Sequence, residues 1–256
     1  MAPARRVLLE SAFLLHQRDF RDSSRIVECF TRAHGRVCLF AKGVRRPGSA
    51  LAPVLQPFVP LLISWAGPGD GGTLTAAELV GAPPRMPPAA LMSAFYLNEL
   101  LLRLTGREDP YPDVHDAYEI ALGELRAAPG AARPLRLFEK RLLEALGLGL
   151  DYAHRLPDGA PLAPDADYHV RAQQGVVAAP AGADPALGFR GRELLSLAAE
   201  ELGDEASLAA AKRLLRSALE APLEGRALAT REVARALGEH ARRAGATNSS
   251  SGGKQG

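Results

Sequence analysis

Cysteine is scarce in this chain of 256 residues: Cys29 and Cys38 are the only two. Two thiols are too few for a disulfide scaffold and fit a reducing compartment. Long apolar runs are missing as well. The chain has no stretch of 18 or more uncharged apolar residues, which argues against a membrane-spanning helix. The opening "MAPARRVLLESAF" has two arginines and then Glu10, without a secretory signal's apolar core and cleavage site. A cytoplasmic protein is expected.

Motifs of bond-making chemistry are also wanting. There is no G-x-x-x-x-G-K-[ST] and no G-x-G-x-x-G after a strand. "AKGVRRPGS" has a Lys-Gly pair but no glycine-rich nest opening a helix, which gripping a nucleotide phosphate requires. The six histidines (His16, His34, His115, His154, His169, His240) never form H-x-x-x-H, and the cysteines stand alone on successive strands, so no zinc set is expected. Ser23, Ser24 and Ser49 lie in loops without a G-x-S-x-G elbow. The chain is read as a non-enzyme that needs no cofactor and no metal.

With 47% hydrophobic and 23% charged residues, the chain can build an ordinary core. The net charge of +2 hides an asymmetry. Residues 1–50 hold ten Lys/Arg against four acids, whereas the remainder carries 21 against 25. A concentration of positive charge in one small unit suggests a polyanionic partner.

The hydrophobic pattern changes once along the chain. Short β-type runs occupy Val7–Leu15, Arg25–Thr31, Arg36–Ala41, Phe58–Trp65 and Thr73–Val80, separated by "RDFRDSS", "AHG", "RRPGSALAP" and "AGPGDGG". Five short strands in this span predict a small closed barrel. The breaker-rich "GAPPRMPP" follows, and helical periodicity then marks Ala89–Leu104, Asp113–Leu125, Pro134–Leu146, Gly191–Leu202, Glu205–Leu219 and Thr230–Arg243, with Thr230 as a capping residue. The fold class is α+β. A five-stranded, closed or nearly closed barrel is expected over 1–82 and a helical unit over 83–244. An irregular or hairpin insertion is expected near 151–189, turning near Gln174–Gly175, and a disordered tail over 245–256.

In the hairpin "RIVECFTRAHGRVCLFAK", a loop of His34, Gly35 and Arg36 pairs Ala33 with Val37 and Arg32 with Cys38, with Gly35 at positive φ. Val27, Cys29, Val37, Leu39 and Ala41 then share an apolar face. The other face receives Phe30 and Phe40 among Arg32 and Lys42, the aromatic-plus-cation pattern that holds single strands without sequence readout. Packing of the two phenylalanines against the helical unit is the alternative. Further cations lie on the predicted helices: Arg133, Arg136, Lys140 and Arg141 on one, Lys212, Arg213 and Arg216 on another. They are either solvated faces or a grip for an acidic peptide with an apolar end.

The stretch "AFLLHQRDFRDSSRIVECFTRAHGRVCLFAKGVRRPGSALAPVLQPFVPLLISWAG" resembles the N-terminal region of the RecO family of bacterial recombination mediators. "FYLNELLLRL", "LRLFEKRLLEALGLGLDY" and "AAAKRLLRSALEAPLEGRALATREV" resemble its C-terminal region, in the same order. The resemblance implies a DNA repair protein with an OB-fold and a helical domain. It implies binding of single- and double-stranded DNA, annealing of complementary strands, and docking on the acidic C-terminal tail of single-stranded DNA-binding protein. With RecR, such a protein helps load RecA on coated strands. Arg36, Lys42, Arg45 and Arg46 match the region expected at DNA, and Arg32, Phe30 and Phe40 of the hairpin's outer face are expected beside them. Arg136, Lys140, Lys212 and Arg213 match segments expected near the tail. Many members carry a four-cysteine zinc site after "GLGLDY", but the corresponding segment here has no cysteine. The chain therefore resembles the zinc-free branch. Two rival readings are an adaptor that binds proteins without touching DNA, and a nuclease using carboxylates such as Asp109, Asp113 and Asp116.

Overall fold

A computed structural model describes residues 6–236 except Pro83 and positions 172–174, 183, 185 and 186. The tail expected over 245–256 lies outside the described residues.

Five strands close into a barrel: β1 (Arg6–Phe20), β2 (Ser24–Thr31), β3 (Gly35–Ala41), β4 (Pro60–Ala66) and β5 (Asp70–Leu79). Their order is β1-β2-β3-β5-β4, with only the β3–β5 contact parallel. This is the OB arrangement. The alternation in β2 and β3 seats Val27, Cys29, Val37, Leu39 and Ala41 inside, all at 0% exposure. Leu14, Leu61, Ile63, Trp65 and Leu74 complete the inner core.

β1 runs five residues beyond its predicted end. Arg18 and Asp19 had the composition of a turn, but they pair with Ile26 and Arg25, and only Arg21–Ser23 turn the chain. The β2–β3 hairpin keeps its predicted faces but not its register. Thr31 pairs with Gly35 and Cys29 with Val37, so the loop is Arg32-Ala33-His34. The expected pairing was four residues out in sum, an even shift that preserves which side chains point inward. Gly35 has φ +65°, and a Cβ there would overlap the Asp109 carbonyl. Glycine is required because the 105–110 loop docks on β3, with Glu108 N–H donating to Arg36 C=O at 2.9 Å.

Helices α1 (Leu91–Leu104), α2 (Pro112–Ala127) and α3 (Arg133–Ala145) follow, the last two opened by prolines in the first turn. A small sheet, β7-β6-β8, comes next: β6 (Asp167–Arg171), β7 (Gly175–Ala178) and β8 (Phe189–Arg190). Arg171 pairs with Gly175 in the expected hairpin, and its turn lies outside the described residues. α4 (Gly191–Ala198) and α5 (Glu205–Glu220) pack behind. A sixth helix, α6, is described over 229–236. Thr230 is not its cap. The helix begins one residue earlier, and the Glu99 carboxylate of α1 accepts from Ala229 N (2.8 Å), Thr230 N (2.9 Å) and Thr230 Oγ1 (2.7 Å). A carboxylate on the first free N–H groups satisfies the orphaned donors and the helix dipole together.

Barrel and helices share a core. Phe13, Leu15, Phe30 and Phe58 leave the barrel's outer side and bury among Leu97, Leu101, Tyr118 and Leu122. Asn98 Nδ2 donates to Leu15 C=O at 2.9 Å and receives the Tyr118 hydroxyl on its Oδ1 at 2.5 Å. No helix of the described residues is long and apolar enough to cross a membrane.

Candidate nucleic-acid interface and peptide cleft

The outer face of β1–β2–β3 divides into two ends. Arg18, Ile26 and Phe40 form one cross-strand row, and Phe20 lies beyond it opposite Ser24. The rings of Phe20 and Phe40 meet at 5.2 Å with a 49° tilt, and the Arg21 guanidinium stands 5.1 Å over Phe20. Lys42 and Arg46 join Phe20, Arg21, Ser23 and Phe40 around a cleft of about 340 Å³. Among the described residues Lys42 and Arg46 meet no carboxylate, while Arg45 leans on Asp19 at 3.5 Å. Both rings are half-buried, and half-buried aromatic rings edged by unneutralised cations can stack bases and hold phosphates at once.

The loop carrying these cations is tied to the barrel. Val44 and Leu55 plug the barrel at 1% and 2% exposure, and Arg45 N–H donates to Ser23 C=O at 3.0 Å. The cations thus stand on a pinned loop beside the aromatic pair.

The other end of the same face is closed by the helical unit, which takes Phe30 off the surface and pairs Arg32 and Arg36 with carboxylates. Phe30 has 0% exposure, and the ring of His115 lies 5.9 Å from it and 5.2 Å from Phe13. Phe30 is a core residue and offers no surface to a base. Arg32 forms a two-pronged pair with Asp116 of α2, both bonds at 2.9 Å. Arg36 donates to Glu28 at 2.7 Å and to Thr105 C=O at 3.0 Å. Arg107 reaches over to Glu28 (3.1 Å) and Asp70 (2.9 Å). These guanidiniums neutralise carboxylates beside the junction of barrel and helices. Phe20, Arg21 and Arg18 were missed because their stretch resembles a turn; an aromatic residue at Phe20 inside that stretch was the available signal.

The other four predicted cations separate as well. Arg136 and Lys212 border a cleft of about 760 Å³ between α1, α3, α5 and α6, with Leu135, Leu223 and Leu228 as apolar wall. Arg216, Arg231 and Arg235 add charge to it. Lys140 is elsewhere, bound to Glu144 (3.0 Å) and Glu200 (2.8 Å). Arg213 lies 4.2 Å over the Phe189 ring and donates to Gly188 C=O. Both are structural contacts of the helical unit. Arg231 was not singled out in the sequence because it stands apart from the two cation clusters of the other predicted helices.

Of the carboxylates named in the rival nuclease reading, Asp116 is paired with Arg32 and Asp109 accepts from the Tyr111 hydroxyl at 2.6 Å. Among the described residues no three His, Cys, Asp or Glu side chains gather in a group that could hold a metal.

An OB barrel with a cationic, aromatic cleft, joined to a helical unit with a basic cleft, defines a barrel-and-helix protein. Two family models match it: "Recombination protein O N terminal" over residues 6–83 and "Recombination protein O C terminal" over residues 88–232. The DNA repair protein RecO of Methylococcus capsulatus is 43% identical over 230 residues, covering 90% of this chain and 94% of that protein. That of Azoarcus is 42% identical over 244 residues, covering 93% and 99%. That of Glaesserella parasuis is 40% identical over 225 residues, covering 88% and 93%. The chain belongs to the RecO family of DNA repair proteins.

Proposed function

We propose that this chain is a non-enzymatic recombination mediator. Its barrel binds single- and double-stranded DNA and anneals complementary strands, and its basic cleft docks on the acidic tail of single-stranded DNA-binding protein. With RecR it helps load RecA onto coated strands, in the cytoplasm at the nucleoid. Residues 1–82 are the DNA-binding unit and 83–244 the helical one.

The observation that carries this reading is the Phe20–Phe40 pair ringed by Arg21, Lys42 and Arg46. Phosphate neutralisation on this face releases counterions and lowers repulsion between two strands, which favours annealing. The cleft combines an apolar wall with Arg136, Lys212, Arg216 and Arg231, a chemistry suited to a peptide that is acidic and ends in an apolar residue with a free carboxylate. Docking there raises the effective concentration of the barrel at coated strands.

The test is a salt series of DNA titrations. The triple change Lys42→Ala, Arg45→Ala, Arg46→Ala is expected to weaken DNA binding and annealing. It should flatten the logarithmic salt slope by roughly 0.7–0.9 per lost phosphate contact, and spare binding of a tail peptide. Unchanged affinity and slope would defeat the assignment and favour an adaptor that does not touch DNA.

A further inference from the structure

The cleft between α1, α3, α5 and α6 has a carboxylate behind it. Glu139 of α3 is at 0% exposure, yet its Oε1 accepts from Arg136 Nη2 at 2.7 Å and from the Tyr96 hydroxyl at 2.5 Å. The same hydroxyl accepts from Arg231 Nη2 at 2.9 Å, and the Arg231 guanidinium lies 5.3 Å over the Tyr96 ring. One buried acid therefore fixes Arg136 directly and Arg231 through a single intermediary. These two arginines enter the cleft from α3 and α6.

Stability alone is a poor reason for such an acid. A buried ion pair returns little beyond its desolvation cost, and an apolar group of the same size would do as well. Glu139 Oε2 and Arg136 Nε are buried without a partner among the described residues, so the arrangement is not optimised for its own satisfaction. Its consistent consequence is geometric: both guanidiniums are held in place before a ligand arrives.

We propose that Glu139 is a positioning residue, which through Arg136 and through Tyr96 to Arg231 orients these two of the cleft's arginines to receive the terminal carboxylate of an acidic peptide. This rests on the reading of the cleft as a tail-binding site. Tyr96 is the relay, and the selectivity it serves is for a free C-terminus over a blocked one. Burial raises the Glu139 carboxyl above the usual range, with Arg136 opposing that rise.

The test uses the full chain and two forms of one short acidic peptide ending in an apolar residue, one with a free carboxylate and one amidated. Binding is followed by fluorescence anisotropy. The wild-type chain is expected to prefer the free acid. Glu139→Gln should weaken the acid form about tenfold, the scale of one charge-assisted hydrogen bond, with little change for the amide, so that the preference collapses. Tyr96→Phe should narrow the preference part of the way. A merely structural role would weaken both forms alike and leave their ratio intact, which would overturn the proposal. Should Glu139→Gln not fold, Tyr96→Phe decides alone: a narrowed ratio supports the relay, and an unchanged one defeats it. If the wild-type chain binds neither peptide, the reading of the cleft itself fails, and that failure is visible before any variant is made.

Discussion

Phe30 and Phe40 sit on the same nominal face of adjacent strands, and their environments are opposite. Phe30 is enclosed with Phe13, His115 and the α2 core, whereas Phe40 pairs with Phe20 at the edge of the cationic cleft. Alternation fixes which way a side chain leaves a sheet but not what covers that face, so the two looked equivalent in sequence. The difference gives a crossed prediction. Phe30→Ala should cost about 3–5 kcal/mol of stability, as for a large buried ring, and leave the DNA affinity of the folded chain within about twofold. Phe40→Ala should cost little stability and weaken single-strand binding by about 1–3 kcal/mol, the scale of one lost base stack. Chemical denaturation and DNA titration of both variants check it. Equal effects on either readout would mean the two rings do not divide the roles in this way.

Elements show how far pattern carries and where it stops. The five strands, the helices α1 to α5 and the β6–β7 hairpin were legible because each has its own periodicity or breakers. The inner barrel face was legible for the same reason. The hairpin register was not: Gly35 could serve as a loop residue or as the first residue of β3, and only the approach of the 105–110 loop decides between them. Site residues were legible as a type but not as a place, since Lys140 and Arg136 lie on one helix and face different neighbours. The α3–α4 junction illustrates this. Glu200, at positive φ just after α4, receives Arg141 at 2.8 and 2.7 Å and Lys140 at 2.8 Å. The Arg141 hydrogen bonds, with Lys140 second, pull its carboxyl from 4.5 to about 2. A depressed carboxylate stabilises the fold above its unfolded value and loses that contribution as pH falls through the folded one. Glu200→Gln should therefore lower stability at neutral pH, by roughly 0.2–1 kcal/mol for a partly exposed pair. The gap between variant and wild type should close as pH falls from 4.5 to about 2. Thermal melts across that range test it, and a gap independent of pH would exclude the ion pairs as its cause.

At the scale of the molecule, the barrel and the helical unit are separate in sequence pattern but not in packing. Phe13, Leu15, Phe30 and Phe58 belong to the helical core, although the barrel supplies them. Around them run Asn98 to Leu15 C=O, Arg126 to Phe58 C=O, Arg32 to Asp116, and the Glu28 cluster with Arg36 and Arg107. An apolar seam rimmed by ion pairs transmits unfolding from one half to the other, because opening it exposes large side chains on both sides. The full chain is therefore expected to melt in one calorimetric transition with matching calorimetric and van't Hoff enthalpies. A fragment of residues 1–82 should bind a hydrophobic dye and melt well below the full chain, since Phe13, Leu15, Phe30 and Phe58 lose their cover. Replacing Arg107 by alanine leaves Glu28 with Arg36 alone, and should lower the melting temperature without splitting the transition. Two resolved transitions in the wild-type chain, or a fragment as stable as the whole, would show that the seam does not couple the halves.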